Sequence, residues 1–206
     1  MGNKVKTTGF RTGISRDWKS KWFAGKSEYG TNVIEDIKIR EFFENRLSNA
    51  GLEEVLIERS INSVTITLKV SRPGVVIGRG GAGVKLLNDD LAKIVKSKIS
   101  ITVEEVRDAE SSAVLIAKSI SSQIKHRVHY RRAVLSSLQK AEDLGVKGIR
   151  IMVSGVLSGG NSISRREPYM RGSIPQTTIK ANIDYGEVAT VTSYGVIGIK
   201  VWVYKG

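Results

Sequence analysis

The chain has 206 residues and no cysteine, and its 33 Lys and Arg against 20 Asp and Glu give a formal net charge of +13. The lack of cysteine excludes disulfide frameworks and zinc fingers or ribbons, and no apolar run approaches the ~18 residues of a membrane-spanning helix. A positive charge of this size is typical of proteins that bind nucleic acid. We therefore expect a soluble, cytosolic protein of one large or two smaller domains that contacts RNA or DNA.

Residues 1–26 form a basic segment with interleaved aromatic side chains. Its bases are Lys4, Lys6, Arg11, Arg16, Lys19, Lys21 and Lys26, and its one acid is Asp17. One interpretation is a disordered basic arm, but disordered segments are poor in aromatic residues, whereas this one holds two Trp and two Phe. The composition favours an arm that orders against RNA, with Lys4, Lys6, Arg11 and Lys21 as predicted contacts.

Residues 27–108 alternate helical and strand patterns. Asn32, with Glu35 three residues later, predicts a helix start, and Gly51 predicts its end. Along this helix an apolar stripe of Ile34, Ile37, Phe42, Phe43 and Leu47 is expected to face a core. Strands are predicted over residues 55–59, 64–70 and 99–103, and a helix over residues 84–95. Because the strands alternate apolar residues with Thr, Ser or Lys, they predict a small sheet with helices on one face.

A glycine-rich stretch, PGVVIGRGGAG over residues 73–83, precedes the second helix. Glycine has no Cβ, so such a turn lets backbone N–H groups approach a phosphate closely. Read as Ile-Gly-x-x-Gly from Ile77, it resembles the loop with which KH domains clamp single-stranded RNA. The predicted RNA contacts are Gly78, Arg79, Gly80, Gly81 and the preceding Arg72.

The same stretch also matches a dinucleotide-binding fingerprint, G-x-G-x-x-G, through Gly78, Gly80 and Gly83. Glu104 and Glu105 lie about 20 residues further on, where that fold places a ribose-binding acid. However, strands of a parallel dinucleotide-binding sheet are near-continuous apolar runs, and the strand before Gly78 would contain only residues 75–77. Nothing downstream supplies further strand–helix–strand units, so the pattern favours the KH interpretation.

A second region, residues 109–206, opens with helical spacing over residues 111–144, as one long helix or as two that join near His129. Bases gather between positions 118 and 132, and Arg127, Arg131 and Arg132 are the predicted RNA contacts among them. Like charges on one helix repel unless a polyanion neutralises them. His126 and His129 stand three residues apart, but no carboxylate or cysteine is near, so a basic face is favoured over a metal site.

Three alternating β segments, residues 149–153, 179–185 and 197–203, close the chain. Between the first two, a predicted loop over residues 158–176 carries Gly159, Gly160 and three further expected RNA contacts, Arg165, Arg166 and Arg171. Two helical stretches on one face of a mainly antiparallel sheet give a two-layer α/β domain. The expected fold class of the whole chain is α+β.

Motifs along the whole chain resemble the bacterial-type family of small ribosomal subunit protein three. They are MGNKV at residues 1–5, RTGI at 11–14, WKSKWFA at 18–24, RPGVVIG at 72–78, IDYG at 183–186 and YGVIGIKVW at 194–202. The resemblance implies an N-terminal type II KH domain at residues 27–108, after the arm of residues 1–26, and a C-terminal α/β domain at residues 109–206. It also implies a cytoplasmic, ribosome-bound protein of the subunit head that binds small-subunit ribosomal RNA (rRNA). The implied further partners are messenger RNA (mRNA) at the channel through which it enters, and head proteins ten and fourteen.

In that family, basic residues face the incoming message at positions that Arg131 and Arg132 match. A third basic position corresponds to Leu135, and the glycine loop holds one base, Arg79, where relatives usually have two. No catalytic constellation, cofactor motif or metal-ligand set is present, so we expect no enzyme, no cofactor, no small-molecule substrate and no membrane association. The alternative function is a free-standing KH-type RNA-binding regulator.

Overall fold

The computed structural model of the chain describes residues 5–60, 62–95, 97–157, 159 and 163–206. It comprises two compact units, which we call the N-terminal unit (Trp18–Arg107) and the C-terminal unit (residues 5–17 and Asp108–Gly206). The boundary near residue 108 adjoins the predicted one. The segment predicted as a separate arm is instead divided, because residues 5–17 fold with the C-terminal unit and residues 18–26 with the N-terminal unit.

Six helices and eight strands are present in the described residues. They are α1 (Thr7–Arg11), β1 (Ser20–Lys21), α2 (Lys26–Arg46), β2 (Leu52–Arg59), β3 (Ser63–Val70), α3 (Pro73–Ile77), α4 (Ala82–Ala92), β4 (Lys98–Glu105), α5 (Ala113–Lys125), α6 (Tyr130–Asp143), β5 (Gly148–Gly155), β6 (Arg165–Gly172), β7 (Ile183–Thr192) and β8 (Gly195–Tyr204).

The N-terminal unit is a four-stranded mixed sheet with strand order β1-β2-β3-β4. β2 and β3 are antiparallel, whereas β1 pairs with β2, and β3 with β4, in parallel. Burial alternates strictly along β3, as its predicted pattern requires. The buried side chains of β2 and β3 pack with those of α2 and α4, among them Ile39, Phe43, Ile57, Ile66, Leu68 and Leu91.

α2 differs from its prediction at both ends and on one face. It ends at Arg46, and Gly51 instead ends the 3₁₀ turn Ser48–Ala50 that follows. The helix begins at Lys26 after Gly25, so Asn32 lies inside the helix instead of capping it. Ile34 and Ile37, predicted to face the core, are 54% and 51% exposed, whereas Asp36 is buried. The predicted stripe is wrong at these two positions because Asp36 takes an inward position, where it pairs with Arg59 across 2.6 Å.

The C-terminal unit is a two-layer arrangement of helices on an antiparallel sheet with strand order β6-β5-β8-β7. The helical region predicted over residues 111–144 forms two helices, which is one of the two predicted alternatives. Between them Arg127 adopts a left-handed φ of 62°, and the His129 side chain caps α6 by accepting from the Arg131 N–H. The core between the layers includes Ala117, Ile120, Val134, Leu138, Ile149, Ile151, Ile199 and Val201.

Two parts of the predicted β pattern are wrong. The region around Arg165, Arg166 and Arg171 is not all loop, because Arg165–Gly172 forms the edge strand β6. Its exposed bases hide the alternation, and an edge position tolerates Pro168, whose missing N–H need not pair. The strand predicted from Ile179 begins only at Ile183, since carbonyl groups just before it accept hydrogen bonds from Arg11 instead of from a strand.

Candidate nucleic-acid interface

The glycine loop of the N-terminal unit lies between α3 and α4. Gly78, Gly80 and Gly81 have φ values of 68°, 62° and 79°, in the left-handed region that favours glycine. The turn Arg79–Gly81 is a single 3₁₀ turn that leads directly into α4. Arg79 is exposed in it. The loop therefore presents glycine backbone and one guanidinium to the solvent, as a phosphate-contacting turn requires.

The third glycine of the dinucleotide fingerprint, Gly83, has a packing role. A Cβ built on it would lie 2.3 Å from the carbonyl oxygen of Val76, so glycine lets α3 and α4 approach closely. Moreover, the helix α3, not a strand, precedes the loop. A dinucleotide fingerprint needs the glycine turn directly after a strand, so the dinucleotide interpretation is wrong.

Basic and apolar side chains surround the glycine loop. Arg72, just before α3, is exposed, and so are Val75, Ile77 and Leu86, at 61%, 41% and 60%. KH-type recognition combines backbone contacts to phosphates with apolar contacts to bases. The structure thus brings the predicted contacts Arg72, Gly78, Arg79, Gly80 and Gly81 onto one exposed segment.

A second basic surface, which we call the α5–α6 corner, comprises Arg127, Arg131 and Arg132. All three side chains are exposed, and the turn between the helices brings Arg127 next to the start of α6. Arg131 lies 3.5 Å from the carboxylate of Glu167. Arg132 forms no ion pair with any residue that the structure describes. In this corner, Arg131 is therefore partly oriented by an ion pair, whereas the charge of Arg132 is not neutralised by a described residue.

Glu167 on β6 organises this corner, and the sequence did not indicate it. Its carboxylate accepts hydrogen bonds from the hydroxyls of Tyr169 (2.7 Å) and Tyr130 (3.1 Å). The hydrogen bond from Tyr169, with those from Tyr130 and Arg131, holds the pKa of Glu167 below its ordinary value. Hydrogen bonding to Tyr130 and Glu167 in turn raises the pKa of Arg131. The Glu167 carboxylate thus orients the Arg131 guanidinium.

The arginines of β6 do not form one patch. Residues that alternate along a strand point to opposite faces, so Arg166 lies on the face opposite to Arg165 and Arg171. Arg171 is 3.3 Å from Glu142 at the end of α6. All three remain exposed, but they serve different surfaces of the C-terminal unit.

Arg11 is not placed as a nucleic-acid contact. Its side chain is completely buried, and its guanidinium donates to the carbonyl oxygens of Thr7, Gln176, Thr178 and Ala181 over 2.6–3.2 Å. Burial lowers the pKa of Arg11, and the nearby Arg16 lowers it further. The prediction of an RNA contact at Arg11 is wrong, because its donors are used inside the fold. It ties the N-terminal segment to the segment before β7.

The other predicted contacts of the N-terminal segment lie on different units. Lys6 is exposed in the C-terminal unit, with its ammonium 5.8 Å from the centre of the Tyr185 ring. Lys21 is exposed on β1 of the N-terminal unit. Lys4 and Gly160 lie outside the described residues. The arm therefore contributes bases to both units.

Neither a metal site nor a membrane span emerges from the described part of the chain. No three or more of its His, Asp and Glu side chains cluster in a way that could hold a metal ion. Within the same residues, no helix combines the length and apolarity needed to cross a membrane.

Comparisons with known proteins match both units. The family model described as KH domain matches residues 38–111, and the model described as ribosomal protein S3, C-terminal domain, matches residues 120–203. The chain is 46% identical to the small ribosomal subunit protein uS3 of Pseudothermotoga lettingae over all of this chain and 98% of that protein. It is 42% identical to the uS3 of Pelagibacter ubique, over all of this chain and 91% of that protein.

Proposed function

This chain belongs to the bacterial family of small ribosomal subunit protein uS3, and from that membership we propose that its α5–α6 corner contacts messenger RNA. The chain is a structural component of the small ribosomal subunit and not an enzyme. It binds ribosomal RNA. A free-standing KH-type regulator is not favoured, because the similarity extends through the ribosomal C-terminal domain as well as the KH domain.

The exposed arginines of the α5–α6 corner carry the messenger-RNA proposal. Adjacent helical residues point about 100° apart, so Arg131 and Arg132 spread their charge over a wide sector. Phosphate contacts of this kind position a nucleic acid without reading its sequence. Such contacts suit a strand that moves past the protein, and they match the place that the family gives these residues beside the channel for incoming messenger RNA.

We assign the glycine loop a different partner, the ribosomal RNA. Arg72, Arg79 and the loop glycines would contact an unpaired segment, and Arg165, Arg166 and Arg171 would contact RNA from the C-terminal unit. The observation that supports this assignment is the run of three left-handed glycines beside exposed apolar side chains. Lys6 and Lys21 would add phosphate contacts on their own units.

We also propose that neighbouring head proteins, by resemblance proteins ten and fourteen, cover part of this chain. The exposed apolar residues Tyr29, Ile34 and Ile37 of α2 support a protein contact, since clustered exposed apolar side chains mark interaction surfaces. A ribosome-bound protein of this family works in the cytoplasm, where bacterial ribosomes translate.

A comparison of two messages tests the messenger-RNA proposal. Ribosomes that carry Arg131→Ala with Arg132→Ala would translate a message with a downstream hairpin more slowly than wild type, and a matched unstructured message at an unchanged rate. If the variant ribosomes translate both messages at the wild-type rate, the corner does not contact messenger RNA. Failure of the subunits to assemble would instead make these arginines ribosomal-RNA anchors.

A further inference from the structure

The sheet of the C-terminal unit has a face that neither α5 nor α6 covers. Residues Ile149, Ile151, Ile199 and Val201 point to the helices and are buried. Their neighbours in sequence therefore point to the opposite face. Register places Arg150 beside Trp202, Trp202 beside Tyr185, and Lys200 beside Met152 and Glu187. This face thus collects aromatic and basic side chains from three adjacent strands.

These side chains line a cavity of about 320 Å³. We call it the aromatic pocket and define it by Lys6, Arg150, Met152, Tyr185, Lys200 and Trp202. Its size falls at the lower end of the range for pockets that bind small organic groups. Tyr185 and Trp202 are half-buried, so their rings are partly accessible from the pocket.

Flat groups form the floor of the aromatic pocket. The Tyr185 and Trp202 ring centres are 5.4 Å apart at an interplanar angle of 49°. The guanidinium carbon of Arg150 lies 5.6 Å from the Trp202 ring centre. Aromatic rings and Arg guanidinium planes are the surfaces on which proteins stack unpaired RNA bases. The floor therefore fits a nucleobase better than an aliphatic side chain.

The charge of the aromatic pocket favours an anion. Three bases line the cavity together with one carboxylate. The bases are Lys6, Arg150 and Lys200, and the carboxylate is that of Glu187. Lys200 lies 3.3 Å from Glu187, and the Tyr185 hydroxyl donates to the same carboxylate at 2.7 Å. Glu187 is thus satisfied within the wall, and three bases against one carboxylate leave the cavity with a net positive charge.

The buried Arg11 holds two walls of the aromatic pocket in place. It donates to the carbonyl oxygens of Thr7 and Gln176, and both residues line the cavity. Because Arg11 is completely buried, these walls do not depend on a ligand to be ordered. The cavity therefore lies against segments that hydrogen bonds within the C-terminal unit fix to one another.

We propose that the aromatic pocket binds one unpaired nucleotide of RNA, with the base on Trp202 and Tyr185 and the phosphate at Lys6 and Arg150. The proposal rests on the RNA-binding function above and adds a site built from residues other than those of the glycine loop and the α5–α6 corner. A base stacked there would give the accessible parts of the Trp202 and Tyr185 rings a partner.

The test uses the full chain and a fluorescein-labelled single-stranded RNA hexamer of mixed sequence. To isolate the pocket, every variant also carries Arg79→Asp and Gly80→Asp in the glycine loop. Trp202→Ala should then weaken binding by roughly fivefold or more, the effect of losing one stacked base. Tyr194→Ala, an exposed tyrosine outside the cavity, is the matched control and should bind like its parent. Thermal unfolding of each variant checks that the fold is retained.

Lys6→Glu keeps the test decisive if Trp202→Ala unfolds. Lys6 is exposed and lines the cavity, whereas Lys180 is exposed and does not, so Lys180→Glu controls for the change in net charge. Weaker binding by Lys6→Glu than by Lys180→Glu supports the proposal. Equal binding by the two charge variants overturns it, and so does unchanged binding by a folded Trp202→Ala.

The chain with an intact glycine loop and an assembled small subunit are used to distinguish the remaining outcomes. If the chain with an intact glycine loop fails to bind the hexamer, the RNA-binding function itself is contradicted. Ultraviolet cross-linking of small subunits should join the peptide that contains Trp202 to one ribosomal-RNA nucleotide. A cross-link from that peptide to a neighbouring protein, with none to RNA, would assign the aromatic pocket to a protein partner and overturn the proposal.

Discussion

The carboxylate of Asp184 lies 2.9 Å from the guanidinium of Arg16, a residue 168 positions earlier in the chain. Its other oxygen accepts from the Ala113 N–H at 2.8 Å, at the start of α5. Two residues further on, a Cβ on Gly186 would lie 2.4 Å from the Ala113 carbonyl oxygen. Asp184 and Gly186 thus join the N-terminal segment, α5 and β7, which explains the IDYG motif in terms of packing.

We expect Asp184→Asn to destabilise the full chain by about 1–3 kcal/mol at pH 7, because a buried carboxylate loses its charged hydrogen bond. Burial alone would raise the pKa of Asp184, but the hydrogen bond from Ala113 and the charge of Arg16 outweigh it and lower the pKa. The stabilisation is therefore complete above the unfolded-state pKa of about 4 and is lost as the pH falls through the folded-state value.

Urea unfolding between pH 7 and pH 3 measures this effect. The difference between wild type and Asp184→Asn should shrink as the pH falls below about 4. Asp143→Asn, at an exposed position, is the control and should match wild type throughout. A difference that stays constant down to pH 3 would contradict the assigned role of the Asp184 charge.

Arg11 should be a stability residue. Arg11→Ala leaves the carbonyl oxygens of Gln176, Thr178 and Ala181 without their donor, and we expect a loss of about 2–4 kcal/mol in the free energy of unfolding. Lys180→Ala, on the exposed surface, should change it by less than about 0.5 kcal/mol. Urea unfolding measures the free energy of unfolding of both variants and of wild type. Unchanged stability of Arg11→Ala combined with weaker RNA binding would restore Arg11 as an RNA contact.

Gly83→Ala should disrupt the packing of α3 against α4 on either side of the glycine loop. The added Cβ would meet the Val76 carbonyl oxygen at 2.3 Å, so α3 and α4 must separate, at a cost of at least about 1–3 kcal/mol. Gly74→Ala in α3 is the control, because its Cβ meets nothing within 4 Å. Calorimetric unfolding and hexamer binding should both change for Gly83→Ala. Wild-type behaviour would mean that the close approach is not required.

Charge reversal in the glycine loop should weaken RNA binding without unfolding the protein. Arg79→Asp with Gly80→Asp places two carboxylates where phosphates are expected, and both positions are exposed. Asp tolerates the left-handed φ of Gly80 better than most residues, so stability should fall by no more than about 1–2 kcal/mol. Fluorescence anisotropy with single-stranded RNA gives the readout. Full affinity in the folded double variant would exclude the loop from RNA contact.

Ribosomes that carry Leu135→Lys should translate structured messages faster than wild-type ribosomes. Leu135 is 51% exposed and lies one helical turn after Arg131, so a lysine there extends the α5–α6 corner. We expect a change of roughly two- to fivefold at most, since an exposed charge contact is worth up to about 1 kcal/mol. Leu135→Gln controls for the loss of the apolar side chain. Translation of the hairpin message by ribosomes with each variant is compared, and equal rates for Lys and Gln would contradict a role of charge at this position.

Local patterns in the sequence determined α2, α4 and the longest strands, the helical spacing over α5 and α6, the glycine loop before α4 and the basic residues of the α5–α6 corner. Alternation along β3 and β8 and the spacing along α5 and α6 depend on neighbouring residues, so they are visible without a structure. The motifs along the chain are also enough to indicate its family. These features are short-range, because each is set within one or two turns or one strand.

Only the tertiary structure decided which charged residues face solvent and which are used inside. Arg11 is one base among seven in its segment, and its burial follows from carbonyl groups 165–170 residues away. Glu167 and Arg131, and Tyr185 and Trp202, meet only when β6 packs near α6 and β7 pairs with β8. Such contacts leave no local pattern, because the hydrogen bonds and packing that create them join segments that are distant along the chain.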